Sequence, residues 1–170
     1  KVVERTIIGL EKHSDQFDMM GYDPSPYNKI NIHIGGTYGD KDLTLMRFRE
    51  NFKRLSPSLQ KRLVVENDDS PNEYSVKNLF DGVYQILGIP ITFDYFHHKF
   101  NTGGLTEEEA LKMASITWPE GITQCCHYSE SRRKEKLDET IRPQAHSDVI
   151  YDEILTYGLK PDIVIEAKLK

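Results

Sequence analysis

Five short apolar segments recur along the chain between helical patterns, and each ends in a residue of a type that binds metal ions. The five terminal residues are His33, Glu66, Asp94, His127 and Glu166, spaced 28 to 39 residues apart. The segments that they end are typical of buried β-strands, which we place at Lys29–Ile34, Leu63–Glu66, Ile91–Asp94, Ile122–His127 and Ile163–Glu166. Strands that alternate with helices predict right-handed βαβ units on a parallel sheet.

The segments between the strands carry helical patterns, some with clear ends. Gly88 and Pro90 predict a helix end after Leu87, and Thr106 with Glu109 forms a capping box that predicts a helix start. The predicted helices cover residues 1–20, Leu43–Leu55, Ser75–Leu87, the segment that begins at Thr106, and His146–Tyr157. No linker rich in Pro, Gly or Ser divides the sequence. We therefore expect residues 1–170 to form a single domain.

The spacing of the strand ends favours a (β/α)8 barrel, the TIM-barrel fold of the α/β class, over an open doubly wound sheet. At a mean spacing of about 33 residues, eight units need about 266 residues, close to the usual length of such a barrel. In an open sheet the ligands gather at one switch point, whereas here every strand ends in a ligand type. Five strands in 170 residues make the chain about five-eighths of a barrel.

Side-chain alternation directs the five terminal residues to one side of the sheet. Alternate residues of a strand face opposite ways, so Ile32 faces one side while Asn31 and His33 face the other. In the fourth strand Cys125 shares the inward side, and Cys126 faces the helices. Because the carboxyl ends of the strands form the catalytic face of such barrels, five polar groups converge on one mouth.

Two further histidines follow these strands, His97 after the third and His146 after the fourth. Three carboxylates so close together would repel one another or take up protons, and divalent cations resolve that conflict. Mixed histidine and carboxylate ligation suits Zn, Mn or Fe better than Ca or Mg, and clustered ions promote displacement at a phosphodiester. A single strand-end histidine is more often structural, but five successive strands that end in ligand types favour a metal site.

Contacts to phosphate would have to come from local groups, because a net charge of −5 does not describe a basic nucleic-acid binder. The loop Gly35–Lys41 has glycines that let backbone approach a ligand, although such a loop is equally an ordinary tight turn. Arg132, Arg133 and Arg142 follow the fourth strand on the same face. Three bound divalent ions would carry the net charge of the chain to about +1.

The cysteine and hydropathy patterns bear on the setting of the protein. Cys125 and Cys126 are adjacent, which disfavours a mutual disulfide and indicates a reducing, intracellular environment. No apolar run approaches the roughly 18 residues that a membrane span needs, so we expect no membrane partner.

With these residues placed, the sequence resembles the ATP-independent UV damage endonucleases. The matching segments run from Asn31 onward in the family's order, through nearly all of the remaining sequence. They are Asn31–Lys41, Val65–Asp69, Gly88–His98, His127–Glu130, Arg142–Asp148 and Asp162–Lys168. Each segment alone is modest evidence, whereas the ordered set is specific.

The resemblance implies a TIM barrel that nicks UV-damaged double-stranded DNA immediately 5′ of photoproducts, namely cyclobutane dimers and 6-4 products. Lys41 would contact phosphate and Tyr38 would lie near the lesion strand, with Arg132 and Arg142 as further DNA-binding residues. We expect the full-length protein to be monomeric and to act inside the cell, with the DNA.

The resemblance also implies a role for each ligand type, with two or three divalent ions in the site and manganese as the ion that the family suggests. One outer ion would be bound by His33. Two ions would be bridged by the expected catalytic residue, Glu66. The buried ion would be held by Asp94, His127 and Glu166. The third ion would be held by His97 and His146.

Two features depart from the family pattern. Family members can carry a modified lysine two residues before the histidine of the seventh strand, a position that is Cys125 here. The strands that would precede Lys29–Ile34 are absent, so the chain corresponds to the C-terminal portion of the barrel. We expect this portion alone to be weakly active or inactive.

Two other functions fit the same residues. A sugar isomerase or epimerase on a related metal-binding barrel also rings its mouth with carboxylates and histidines. A truncated barrel that binds metal ions without performing chemistry is the non-enzymatic alternative. The loop Gly35–Lys41 and the basic pair Arg132–Arg133 favour DNA over a sugar.

Overall fold

The computed structural model describes residues 2–167 and confirms the five predicted strands as one parallel sheet. The strands lie side by side in chain order, and each is hydrogen-bonded to its sequence neighbours. Their bounds are Ile30–Ile32 (β1), Leu63–Glu66 (β2), Ile91–Asp94 (β3), Cys125–Tyr128 (β4) and Asp162–Ile165 (β5). The fourth strand begins three residues later than predicted, because Ile122 closes a turn onto Pro119 through its backbone amide.

Helices fill the connections between the strands. Their bounds are Val2–Met19 (α1), Lys41–Phe52 (α2), Pro57–Arg62 (α3), Val76–Leu79 (α4), Gln85–Leu87 (α5), Tyr95–His98 (α6), Glu107–Ser115 (α7) and Arg132–Lys136 (α8). A π-helical turn, Phe80–Tyr84, joins α4 to α5. Both predicted end signals are confirmed: Gly88 ends α5 in the left-handed conformation, and Thr106 with Glu109 caps α7.

Alternation along the strands divides the interior into two apolar clusters. The larger cluster joins the sheet to the helices and includes Leu63, Val65, Phe93 and Cys126. The smaller cluster lies on the opposite side of the sheet and consists of the buried residues Val64, Trp118 and Cys125. Burial of one such aliphatic side chain stabilises the fold by about 1.5–3 kcal/mol. The packing confirms that Cys125 and Cys126 face opposite ways.

The predicted helix His146–Tyr157 is wrong. Residues 146–157 are all described and form an irregular segment without a helix. Their backbone amides bond instead to an earlier part of the same connection between β4 and β5: Ser147 N donates to Glu130 O at 2.7 Å, and Asp152 N donates to Glu130 Oε1 at 3.2 Å. Ser147 Oγ also accepts from Val149 N, a local bond that competes with helix formation.

The sheet is an open half-barrel of the TIM type. Within residues 2–167, β1 pairs only with β2 and β5 pairs only with β4, so both outer strands have a free edge. Val164 and Ile165 of β5 are about half exposed. Among the described helices, none combines the length and the apolar character required to cross a membrane.

Candidate metal centre

The carboxyl ends of the five strands bring the predicted ligand types to one edge of the sheet. Glu66 and Asp94 are the last residues of β2 and β3, and His127 is the third residue of β4. His33 and Glu166 each follow their strand directly. Neighbouring strands are in register here, since Asp94 pairs with His127 across β3 and β4. Parallel pairing therefore places these side chains together.

Glu66 lies at the centre of this group, and its two carboxylate oxygens face different histidines. Oε1 is 3.6 Å from His33 Nε2 and 3.5 Å from His97 Nδ1. Oε2 is 3.2 Å from His127 Nδ1 and accepts a short hydrogen bond from the side-chain amide of Asn31. A carboxylate in this position can bridge two ions.

Two overlapping sets of side chains have the spacing of a metal site. In each set the candidate ligand atoms lie within 4.8 Å of one another. The first set is His33, Glu66 and His97, and the second is Glu66, Asp94, His127 and Glu166. Six of the seven predicted ligands thus converge, with Glu66 common to both sets.

The seventh predicted ligand, His146, arrives through the irregular segment. Its backbone forms an isolated antiparallel bridge with Ser131, which fixes it beside the end of β4. Its Nδ1 is 3.4 Å from Glu166 Oε2, and its ring centroid is 6.1 Å from that of His97. The histidine predicted on a helix therefore reaches the same mouth from a loop.

Burial and neighbouring charges act in opposite directions on the pKa values of this cluster. Burial disfavours charge on the histidines, but the hydrogen bond from His33 to Asp68 and the charge of Glu66 raise the pKa of His33 to about 9. Burial is likewise outweighed at His127, whose bonds to Cys125, Glu166 and Glu66 raise its pKa to about 12. Burial raises the pKa of Asp94 to about 6. At Glu66 burial is outweighed by His127, which lowers the pKa of the carboxyl.

The donor set fits divalent ions. Three carboxylates and four imidazoles meet at one mouth, a mixture of nitrogen and oxygen ligands that suits Zn, Mn or Fe. Asp94 Oδ2 is buried and accepts no hydrogen bond within residues 2–167. A buried carboxylate oxygen ordinarily has a partner, and a bound cation would supply one.

A cavity of about 560 Å³ opens beside the cluster and carries basic groups. Its lining includes His33, His97, His146, Arg132 and Arg142. Arg132 pairs with Asp148 at 2.5 Å, and Arg142, whose side chain is largely exposed, lies 3.5 Å from Asp69. Two of the four predicted DNA contacts thus flank the candidate ligands.

Of the other two predicted DNA contacts, Tyr38 lies in the loop between β1 and α2, and Lys41 is the first residue of α2; both lie apart from the residues that line this cavity. Tyr38 is 91% exposed and has a positive φ of 50°. The Lys41 ammonium donates to Pro71 O at 2.9 Å, which ties this loop to the one after β2. The loop is therefore anchored, and its tyrosine projects into solvent.

Several residues of the site were not singled out by their chemistry. Asn31 contacts Glu66, and Asn67 and Asp68 contact the imidazoles of His97 and His33. The signal in the sequence was their position: Asn67 and Asp68 directly follow the strand-end residue Glu66, and Asn31 lies two residues before His33. Cys125 belongs to neither candidate ligand set among the described residues, and Lys168, the last residue of the sixth matched segment, lies outside them.

The chain is similar to known proteins in sequence and in fold. The sequence model of the family described as UV-endonuclease UvdE matches residues 1–170. The UV DNA damage endonuclease of Bacillus pumilus is 36% identical over 177 residues, which cover 99% of the chain and 52% of that protein. The UV-damage endonuclease of Schizosaccharomyces pombe is 39% identical over 178 residues, which cover 99% of the chain and 29% of that protein.

A solved structure agrees with these matches. The crystal structure of SacUVDE superposes with a TM-score of 0.80 at 32% identity, covering 98% of this chain and 54% of that one. The chain thus spans about half the length of SacUVDE and of the Bacillus protein, and less of the yeast protein.

Proposed function

The chain belongs to the UV-endonuclease UvdE family, and from this we propose that the whole protein that carries it is a metal-dependent DNA repair endonuclease. Its substrate would be UV-damaged double-stranded DNA, nicked immediately 5′ of cyclobutane dimers and 6-4 products. The observation that carries the proposal is the convergence of two candidate ligand sets on Glu66 at one barrel mouth. We also propose that residues 1–170 form one domain, the C-terminal part of a larger barrel, acting inside the cell as a monomer.

Seven side chains would hold two or three divalent ions, with manganese as the ion that the family resemblance suggests. His33 would hold an outer ion, and Glu66 would share it with a second. The second, buried ion would be held by Asp94, His127 and Glu166. The third would be held by His97 and His146. Divalent ions at such a site stabilise negative charge on a phosphodiester and lower the pKa of water.

The side chains themselves would bind and orient the substrate. Arg132 and Arg142 flank the ligands at the cavity and would contact phosphates of the strand to be cut. Their partners Asp148 and Asp69 hold both guanidinium groups beside the ligands. Glu66 would fix the relative positions of His33, His97 and His127 through its two oxygens. With three divalent ions bound, the mouth would present positive charge although the chain as a whole is acidic.

Tyr38 and Lys41 would extend the DNA interface beyond the cavity. The exposed aromatic ring of Tyr38 is suited to stacking against bases or sugars near a distorted lesion. Lys41 is engaged with Pro71 and Asn78, so its contribution would be to hold the loop as well as to add positive charge. The loop would contact the DNA backbone next to the cut.

The test is nicking of UV-irradiated supercoiled plasmid by the whole protein after chelation and return of Mn²⁺. We expect irradiated plasmid to relax and untreated plasmid to persist, with Mn²⁺ required. Glu66→Gln should lower the rate at least 100-fold, since it removes the charge shared by both ligand sets. Glu50→Gln, on the exposed face of α2, is the matched control and should keep the wild-type rate.

Other outcomes identify the alternatives. Undiminished nicking by Glu66→Gln would overturn the assignment of the site. Turnover of an aldose without DNA cleavage would instead identify a sugar isomerase, and Mn²⁺ binding without either activity would identify a metal-binding protein.

A further inference from the structure

Two residues that follow Glu66, Asn67 and Asp68, lie beneath the candidate ligands without belonging to either ligand set. β2 ends at Glu66, yet Asn67 is fully buried and Asp68 nearly so. Two consecutive buried polar side chains require hydrogen-bond partners, because each unpaired group lowers the stability of the fold by about 1–3 kcal/mol. Their partners are the backbone of one candidate ligand and the rings of two others.

Asn67 extends the pairing of β2 with β3 by one residue. Its side-chain amide donates from Nδ2 to Asp94 O at 3.0 Å, and its Oδ1 accepts from Asp94 N at 2.9 Å. Its main-chain carbonyl accepts from His97 Nδ1 at 2.8 Å. One residue therefore fixes both the backbone of Asp94 and the imidazole of His97.

Asp68 performs the same task for His33. Its Oδ1 is 2.8 Å from His33 Nδ1, while its Oδ2 accepts from Tyr74 N at 3.3 Å. Its own amide donates to Tyr74 O at 2.8 Å, so both its backbone and its carboxylate are held. The carboxylate cannot swing away from the ring without breaking contacts with Tyr74.

The groups that contact Nδ1 of the two rings, the Asn67 carbonyl and the Asp68 carboxylate, are both hydrogen-bond acceptors, and this decides which ring nitrogen carries a proton. A carbonyl and an ionised carboxylate can only accept, so each histidine presents N–H at Nδ1. A neutral ring then carries its lone pair on Nε2, the atom available to a cation. In His33 that atom is 3.6 Å from Glu66 Oε1.

We propose that Asn67 and Asp68 are positioning residues that set the ring orientation and tautomer of His97 and His33, so that both bind divalent ions through Nε2. The inference rests on the proposed metal centre and deepens it. It assigns the consecutive residues Glu66, Asn67 and Asp68 to one unit, in which the first is a ligand and the next two orient ligands from other elements.

The test measures Mn²⁺ binding by calorimetry on the whole protein, separately from nicking. Asp68→Ala should weaken Mn²⁺ binding about 10- to 100-fold, the usual effect of removing a partner behind a histidine ligand. Asp68→Asn keeps an acceptor oxygen and should recover most of that loss. Asp81→Ala, which removes an exposed carboxylate paired with Lys77, is the matched control and should bind as the wild type does.

Nitrogen NMR of the Zn²⁺-loaded protein supplies a readout that a purely structural role would not change. We expect Nδ1–H and a metal-shifted Nε2 for His33 and His97 in the wild type, and loss of this pattern for His33 in Asp68→Ala. If Asp68→Ala does not fold, the wild-type spectrum and Asp68→Asn still decide the matter. Binding of Zn²⁺ through Nδ1 would overturn the proposal, as would a Mn²⁺ affinity of Asp68→Ala within twofold of the wild type.

The experiment distinguishes failure of the positioning role from failure of the proposed nuclease activity. A wild type that binds Mn²⁺ but does not nick irradiated DNA would overturn the nuclease while the Asp68 affinity ratio still decides the positioning role. A wild type that binds neither Mn²⁺ nor Zn²⁺ would overturn both.

Discussion

At the scale of the residue, the site is a set of groups in which protons and the proposed metal ions would compete for the same atoms. Without a cation, the carboxylates of Asp68 and Glu66 outweigh burial at His33, and Cys125, Glu166 and Glu66 do so at His127, which is why the pKa values of these two histidines are raised. Asp94 takes up a proton more readily than an exposed aspartate because it is buried. A divalent ion would replace these protons, so binding of the ion would release them.

This competition predicts opposite pH dependences for the fold and for metal binding. The charged His33 stabilises the metal-free protein fully below about pH 6.5, its ordinary pKa, and this stability is lost as the pH rises through about 9. Over the same interval Mn²⁺ affinity should increase, because fewer protons must leave. Chemical unfolding of the metal-free protein and Mn²⁺ calorimetry, both between pH 6.5 and 9, measure the two trends.

The comparison variant is His33→Gln, which cannot titrate. The difference in unfolding free energy between wild type and His33→Gln should shrink as the pH rises to 9. A difference that stays constant across this interval would contradict the assignment of the raised pKa to His33.

At the scale of the element, strand ends place five ligands, and an irregular segment places His146. The strand ends were predictable, since the register of parallel strands follows from the apolar pattern and leaves little freedom at the carboxyl edge. The irregular conformation of residues 146–157 was not predictable, because their apolar pattern fits a helix as well as it fits a segment bonded to an earlier part of the same connection. Glu130 and Glu135 supply those bonds, and neither is close in sequence to the residues that it holds.

The anchoring of this segment predicts an effect of Glu135, which lies in α8. Glu135 Oε2 accepts from Ser147 Oγ at 2.7 Å and from Asp148 N at 3.0 Å, beside the bridge that holds His146. Glu135→Ala should weaken Mn²⁺ binding about 10-fold and speed amide exchange at Asp148. Calorimetry and hydrogen exchange measure the two effects.

The neighbouring Glu139→Ala serves as control, because Glu139 is exposed and pairs only with Arg133 among the described residues. Its Mn²⁺ affinity should be unchanged. Equal affinities for Glu135→Ala and the wild type would show that the bridge at His146 holds without Glu135.

At the scale of the whole molecule, a half-barrel brings the residues of the candidate metal centre together without closing the sheet. The sequence predicted this architecture and the side chains that gather at the mouth, because the spacing of strands and the identity of their last residues are local properties. It did not predict the contacts of Asn67 with His97 and of Asp68 with His33, since these depend on distances between segments about 30 residues apart. The acidic composition also does not reveal that three bound divalent ions would carry the net charge of the chain to about +1.

The central claim is that this mouth cuts DNA beside UV lesions, and the position of the cut tests it most directly. The substrate is an end-labelled duplex with one thymine cyclobutane dimer, incubated with the whole protein and Mn²⁺ and resolved at single-nucleotide resolution. We expect one product that ends immediately 5′ of the dimer, absent from the undamaged duplex and absent with Glu66→Gln. Cleavage of the undamaged duplex at the same rate, or a cut away from the dimer, would contradict it.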